Sequence, residues 1–266
     1  MDECCERERR GEDGRGQQRL HAPLAALLVL PLVGLLAVFA REREARIAQT
    51  LELSKSYRGT ALLLRDLLED DDEYTGHHTE DVVDLSVRVA EQMGVGEEVR
   101  RETELGALLH DIGKIHIPDA IINKPGPLDD DEWAIMKTHT IEGQKMLDQV
   151  GGLLGNVGVV VRASHERFDG RGYPDGLAGA AIPLAARIVA VCDSFNAMTT
   201  TRSYRKGMPV ADAVAEVRRC VGTQFDPAVA DALLAVVGDP GWQLTVRDPA
   251  APATLPAPAR PAVASA

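Results

Sequence analysis

An all-α fold is what this sequence predicts, and three observations carry it. Apolar residues recur at spacings of three and four through most of the chain, as in Val82, Leu85, Val89 and Met93, which is the period of an amphipathic helix. Helix-start signals precede several of these segments. Pro183, Pro209 and Pro227 each fit a first turn, and Asp129 with Glu132 has capping-box spacing. No convincing strand interrupts them. With 45 % hydrophobic residues but only 4 % aromatic ones, the core has to be built of Leu, Val and Ala.

Taken in order, residues 1–21 are polar, charged in both signs and predict a disordered tail. Residues 22–40 carry no charge. As a helix they span roughly 28 Å, about one bilayer core. A single transmembrane helix is expected there, with Pro23, Pro31 and Gly34 tolerable inside it. The rivals are a secretory signal cleaved after Ala40 and a buried soluble helix. Arginines on both flanks leave the orientation open. Residues 41–52 predict a connecting helix, able to carry a signal or a homodimer contact. Tyr57, Ala61, Leu64 and Leu68 extend a one-sided apolar stripe beyond it.

The helical domain is expected over 53–238. Its helices read as His78–Met93, Glu97–His110, a segment from Asp129 that presents Trp133, Met136 and His139, then Leu153–His165, Pro183–Met198, Pro209–Val221 and Pro227–Val237. A glycine-rich loop from Asp169 to Gly176 lies between the fourth and fifth. Its glycines leave the backbone free to approach a ligand. Residues 239–266, rich in Pro and Ala, predict a second disordered tail.

A net charge of −12 argues against a protein that coats DNA or RNA. A small anionic substrate remains compatible, because a metal site reverses the local field. Cys4, Cys5, Cys192 and Cys220 show neither zinc nor disulfide spacing. The last two sit in apolar helical patterns and read as buried thiols in a reducing compartment.

The chemistry centres on His110-Asp111-Ile112-Gly113-Lys114, after the apolar run Leu105–Leu109. Neighbours on a helix point about 100° apart, but at a helix end both can reach a metal held beyond it. Gly113 is expected as a left-handed C-cap, with Lys114 at the mouth, ready to meet a phosphate. His78, His139, His165 and Asp193 lie at or near the ends of other apolar helices. Imidazoles with a bridging carboxylate suit iron, manganese or zinc. Two such ions, about 3.5–4 Å apart, can activate a hydroxide and clamp a phosphodiester.

These motifs, with Tyr74-Thr75-Gly76-His77-His78, Met136-Lys137-Thr138-His139, His165-Glu166-Arg167-Phe168-Asp169-Gly170-Arg171-Gly172-Tyr173-Pro174, Phe195-Asn196-Ala197-Met198-Thr199, Arg202-Ser203-Tyr204-Arg205 and Gly222-Thr223-Gln224-Phe225-Asp226-Pro227, follow one another in order. The chain resembles the HD-GYP phosphodiesterases of the HD superfamily from about Leu53 to Val237. The resemblance implies an HD-GYP type helical domain that hydrolyses cyclic di-GMP to the linear dinucleotide and onward to GMP. It implies one divalent metal ion on His78, His110, Asp111 and Asp193, and a second on Asp111, His139 and His165, with iron or manganese favoured. It gives Lys114 the attacked phosphate, and Tyr173, Arg202 and Arg205 the dinucleotide. Together with the anchor expected at 22–40, it implies a signalling protein at the cell membrane with its catalytic domain in the cytoplasm. Ser164 stands where many members have a further histidine, so the second ion is expected to bind more weakly. Tyr74 replaces the glutamate of a third metal, while Asn196, Thr201 and Asp81 also depart from the pattern. The alternatives are an HD-type phosphohydrolase for another nucleotide, and a module that binds cyclic di-GMP or a partner protein without turnover.

Overall fold

The computed structural model describes residues 31, 33–46, 58–59, 61–63, 75–201 and 206–242, the side chains of 75–77 excepted. The chain divides into two units, Met1–Tyr57 and Arg58–Ala266. In the first, residues 33–46 are helical and exposed. Among the described residues no helix is long and apolar enough to cross a membrane. Most of the expected span at 22–40, the tail at 1–21 and nearly all of the tail at 239–266 lie outside the described residues, as do Tyr57, Leu64 and Leu68 of the apolar stripe.

Among the described residues the second unit is built of helices joined by loops, with isolated bridges but no strand. Its helices are α1 (Thr75–Gln92), α2 (Glu97–Leu109), the short α3 (Asp119–Ile122), α4 (Asp130–Lys137), α5 (His139–Val150), α6 (Leu153–Ala163), α7 (Leu184–Thr199), α8 (Val210–Arg219) and α9 (Pro227–Gly238). Two 3-10 turns are inserted, Ile112–His116 and Gly179–Ala181. α1 packs against α2, α7 and α9, and α5 against α6. The apolar stripe read from the sequence is the buried face of α1: Val82, Leu85 and Val89 join Ile188, Val189, Cys192 and Phe195 of α7 in one core. As expected, that core is aliphatic, and Cys192 and Cys220 are buried free thiols. Trp242, beyond α9, sets its ring edge against Phe195, with centroids 6.1 Å apart.

The capping box forms as read. Asp129 Oδ1 accepts from the Glu132 N–H and Glu132 Oε2 from the Asp129 N–H, both at 2.9 Å. The helix it opens ends sooner than expected, however. It stops at Lys137, Thr138 serves as its C-cap and as the N-cap of α5, and His139 begins the new helix. Pro183 and Pro209 cap their helices from outside, whereas Pro227 occupies the first turn of α9.

Gly113 does not end a helix in the left-handed conformation. The chain tightens into a 3-10 turn that runs through it to His116, and its φ is not positive. What requires glycine is the approach of α5. A Cβ on Gly113 would lie 1.9 Å from the His139 carbonyl oxygen and 2.5 Å from the Gly143 nitrogen. The missing side chain therefore lets the His110-Asp111 turn lie flat against the helix that begins with His139.

Candidate metal centre

Six side chains from six elements meet in one patch. His78 comes from α1, His110 from the end of α2, Asp111 from the entry to the first 3-10 turn, His139 from the start of α5, His165 from just after α6, and Asp193 from α7. Their donor atoms form two groups, His78–His110–Asp193 and Asp111–His139–His165, each within 4.8 Å. Asp111 stands between the groups. Its Oδ2 is 3.4 Å from His110 Nε2 and its Oδ1 is 3.6 Å from His139 Nε2. Asp193 Oδ1 lies 3.2 Å from His78 Nε2 and 3.9 Å from His110 Nε2.

The donor set fits metal ions. Nδ1–H of His110 donates to the Ala107 carbonyl at 2.8 Å, and Nδ1–H of His139 to that of Met136 at 2.7 Å. Each of these bonds leaves the Nε2 lone pair free and fixes the ring's direction, as carbonyl partners of metal-bound histidines do. His139 Nε2 is buried and has no hydrogen-bond partner. A buried polar atom without a partner costs free energy unless something occupies it, and here the atom faces a carboxylate that a cation would share.

Charge prepares the same site. Burial would push Asp111 upward, but Lys114, His110 and His139 outweigh it and hold the carboxyl well below its usual range. Lys114 Nζ donates to Asp111 Oδ2 at 2.6 Å. Asp193 likewise resists burial, through a hydrogen bond from His78 and the charges of His110, His78 and His165, and stays far below the ordinary carboxylate value. Burial drives His165 down to about 4 and lowers His139. His78 is raised: burial opposes the shift, but the hydrogen bond and charge of Asp193 and the hydrogen bond to Asn196 overcome it. The patch thus presents two ionised carboxylates among imidazoles of which His139 and His165 are held neutral.

Tyr173 stacks on His165, ring centroids 5.1 Å apart at 20°. Arg202 and Arg205 fall outside the described residues. The loop that carries Tyr173 is bound to the domain rather than loose. Arg162 forks onto Asp175 at 2.6 and 2.7 Å, and Glu166 Oε1 accepts from the N–H groups of Asp175 and Gly176 at 2.7 and 3.0 Å. Gly172 serves this self-packing and not a ligand: a Cβ there would sit 2.3 Å from the Arg167 nitrogen. Beside His165 and Tyr173 opens a cavity of about 630 Å³.

Ser164 is buried and donates its hydroxyl to the Val161 carbonyl at 2.8 Å. The sequence reading named Asn196 only as a departure from the family pattern and Glu166 only within a motif, and missed the role of each. Asn196 Oδ1 accepts from His78 Nδ1–H at 2.5 Å, and Glu166 fastens the loop. Asn196 was findable in principle, since it lies three residues after Asp193 and so shares its helix face. Glu166 follows a ligand candidate directly, but nothing local foretells which backbone it will meet.

Residues 62–229 match the HD domain family. The chain is 41 % identical over 189 residues, 71 % of its length, to the cyclic di-GMP phosphodiesterase response regulator RpfG of Xanthomonas campestris. It is 43 % identical over 65 % of its length to a cyclic di-GMP phosphodiesterase of Thermotoga maritima, and 34 % over 65 % to 3'3'-cGAMP-specific phosphodiesterase 1 of Vibrio cholerae. These matches cover 50 %, 47 % and 40 % of the respective relatives, so the chain spans about half the length of those it matches, or less. An HDG"Y"P protein from Bdellovibrio bacteriovorus has the same fold, with a TM-score of 0.51 and 23 % identity over 63 % of this chain and 54 % of that one.

Proposed function

The chain belongs to the HD domain family, and from that membership we propose that it is a metal-dependent phosphodiesterase that opens cyclic di-GMP to the linear dinucleotide, with GMP after a second cut. One observation carries the reading: the Asp111 carboxylate lies within 3.4–3.6 Å of a histidine nitrogen from each of two donor groups. His78, His110, Asp193 and Asp111 would hold one divalent ion, and Asp111, His139 and His165 a second. Mixed imidazole and carboxylate donors favour iron or manganese. Bound there, such ions supply Lewis acidity at a phosphoryl oxygen and lower the pKa of a nucleophilic water.

The chain's own groups do the rest. Ionised Asp111 and Asp193 set the negative field that gathers the cations. Lys114, half-exposed at the rim of Asp111, can turn an N–H toward a phosphate oxygen as charge builds on it. Tyr173, fixed on His165, borders the space for the dinucleotide, and Arg202 and Arg205 are assigned to its phosphates by motif. The uncharged run 22–40 supports a single-pass anchor, with the domain on the cytoplasmic side where cyclic dinucleotides are made. Pairing through the connecting helix would give a homodimer.

The test is metal analysis of the purified protein, followed by turnover of cyclic di-GMP, 3'3'-cGAMP and linear control nucleotides. Bound metal and cleavage of cyclic di-GMP ahead of the others are expected. The relatives named for 3'3'-cGAMP favour a second reading, in which the mixed dinucleotide is the better substrate, and the same assay ranks the two. Binding without cleavage in excess manganese or anaerobic ferrous iron would leave only the binding module.

A further inference from the structure

The cavity beside the donor groups has side chains that the metal chemistry does not use. His165 and Tyr173 line it, together with Asp130, Trp133, Lys137 and Arg171. Lys137 Nζ lies 5.5 Å from the Tyr173 ring centroid. Trp133 is 46 % exposed although large and apolar. These features suit a planar, polar ligand. Tryptophan offers a face on which any base can stack. Arginine and lysine donate to the O6 and N7 acceptors that guanine carries side by side. A carboxylate such as Asp130 accepts from guanine's N1–H and N2–H groups. Adenine presents an amino donor where guanine has O6, so two cations on that edge select against it.

We propose that this cavity is a guanine subsite: Trp133 stacks on one base of the dinucleotide, Lys137 and Arg171 donate to its acceptor edge, and Asp130 accepts from its donor edge. The inference rests on the phosphodiesterase reading and adds the base preference, from residues outside the metal centre. Stacked on His165, Tyr173 joins the two regions, so a phosphodiester at the metal centre and a base in the cavity can belong to one ligand.

The test uses the full-length, metal-loaded protein. Trp133→Ala should raise the KM for cyclic di-GMP about tenfold with kcat little changed, the scale of one lost base–aromatic stack, and Trp133→Phe should restore most of it. Arg171→Ala should narrow the preference for cyclic di-GMP over cyclic di-AMP at least fivefold. A hydrolysis-resistant bis-phosphorothioate analogue of cyclic di-GMP should quench tryptophan emission in the wild type. The quench should be absent from Trp133→Phe, which leaves Trp242 as the only tryptophan. Wild-type KM in Trp133→Ala, or an unchanged guanine preference in Arg171→Ala, would overturn the subsite while leaving the phosphodiesterase reading intact. Failure of the wild type to bind or cleave any cyclic dinucleotide would overturn that reading, and the subsite with it.

Discussion

The two donor groups are built from the same residue types but prepared differently. In the first, His78 is held at both ring nitrogens, by Asn196 at 2.5 Å and by Asp193 at 3.2 Å, and that company raises its pKa. In the second, His139 keeps an unpartnered Nε2, and burial lowers His165 to about 4. The first group is thus closed by its own hydrogen bonds, and a cation entering it must displace a proton from His78. The second already presents neutral nitrogens at physiological pH and is completed from outside.

The largest expected effect comes from the shared carboxylate. Asp111→Ala should strip both ions and take hydrolysis below detection, read by metal analysis and by turnover in excess manganese. Activity near wild type would show that the groups work without a common ligand. Next comes Asn196→Ala, which frees His78 but touches no atom of the second group. Loss of such an outer partner typically costs about 10–100-fold in metal affinity. A titration should therefore show one weakened ion and one unchanged, and equal weakening of both would erase the distinction drawn here.

A third test uses acid on the chelated protein. His165 takes up its proton at about 4 in the folded chain and near 6.5 as an unperturbed group. Between those values the unfolded chain binds more protons, so stability rises with pH. The lowered Asp111 and Asp193 add to the loss below the usual carboxylate range. His78, being raised, acts in the opposite sense: its contribution is full below its unfolded pKa and fades as pH climbs through the folded one. The melting temperature should fall from pH 6.5 to pH 4, and His165→Gln should flatten that fall. An identical slope in the variant would place the acid sensitivity elsewhere.

The smallest effect is expected at Ser164. Its hydroxyl is turned back to Val161, yet the residue lines the cavity beside His165. Ser164→His should raise occupancy of the second group at low metal concentration, provided the melting temperature shows that the buried site accepts the larger ring. Coincident titration curves for variant and wild type would put position 164 outside the donor shell.

The amino-acid sequence by itself determined most of the helices, because apolar periodicity, the Asp129–Glu132 box and the proline starts act over a few residues and need no partner; the break at Thr138 that makes α5 a separate helix was not legible there. It also singled out the six donor candidates, by their local setting and by resemblance to a family, and five of them do lie at or near helix ends, whereas Asp193 sits well inside α7 (Leu184–Thr199). Only the tertiary structure decided how those ends meet. His78 finds Asn196 from 118 residues away, a pairing no local rule encodes. Gly113 reads as a cap along the chain, yet the close approach of α5 is what requires it. Glu166 acquires its role from the N–H groups of Asp175 and Gly176, and the cavity exists only because α4 lies across from the loop after α6. The physical reason is one of range. Helix formation and capping are set by neighbours in sequence, whereas hydrogen-bond satisfaction, shifted pKa values and close backbone contacts depend on which helices pack together.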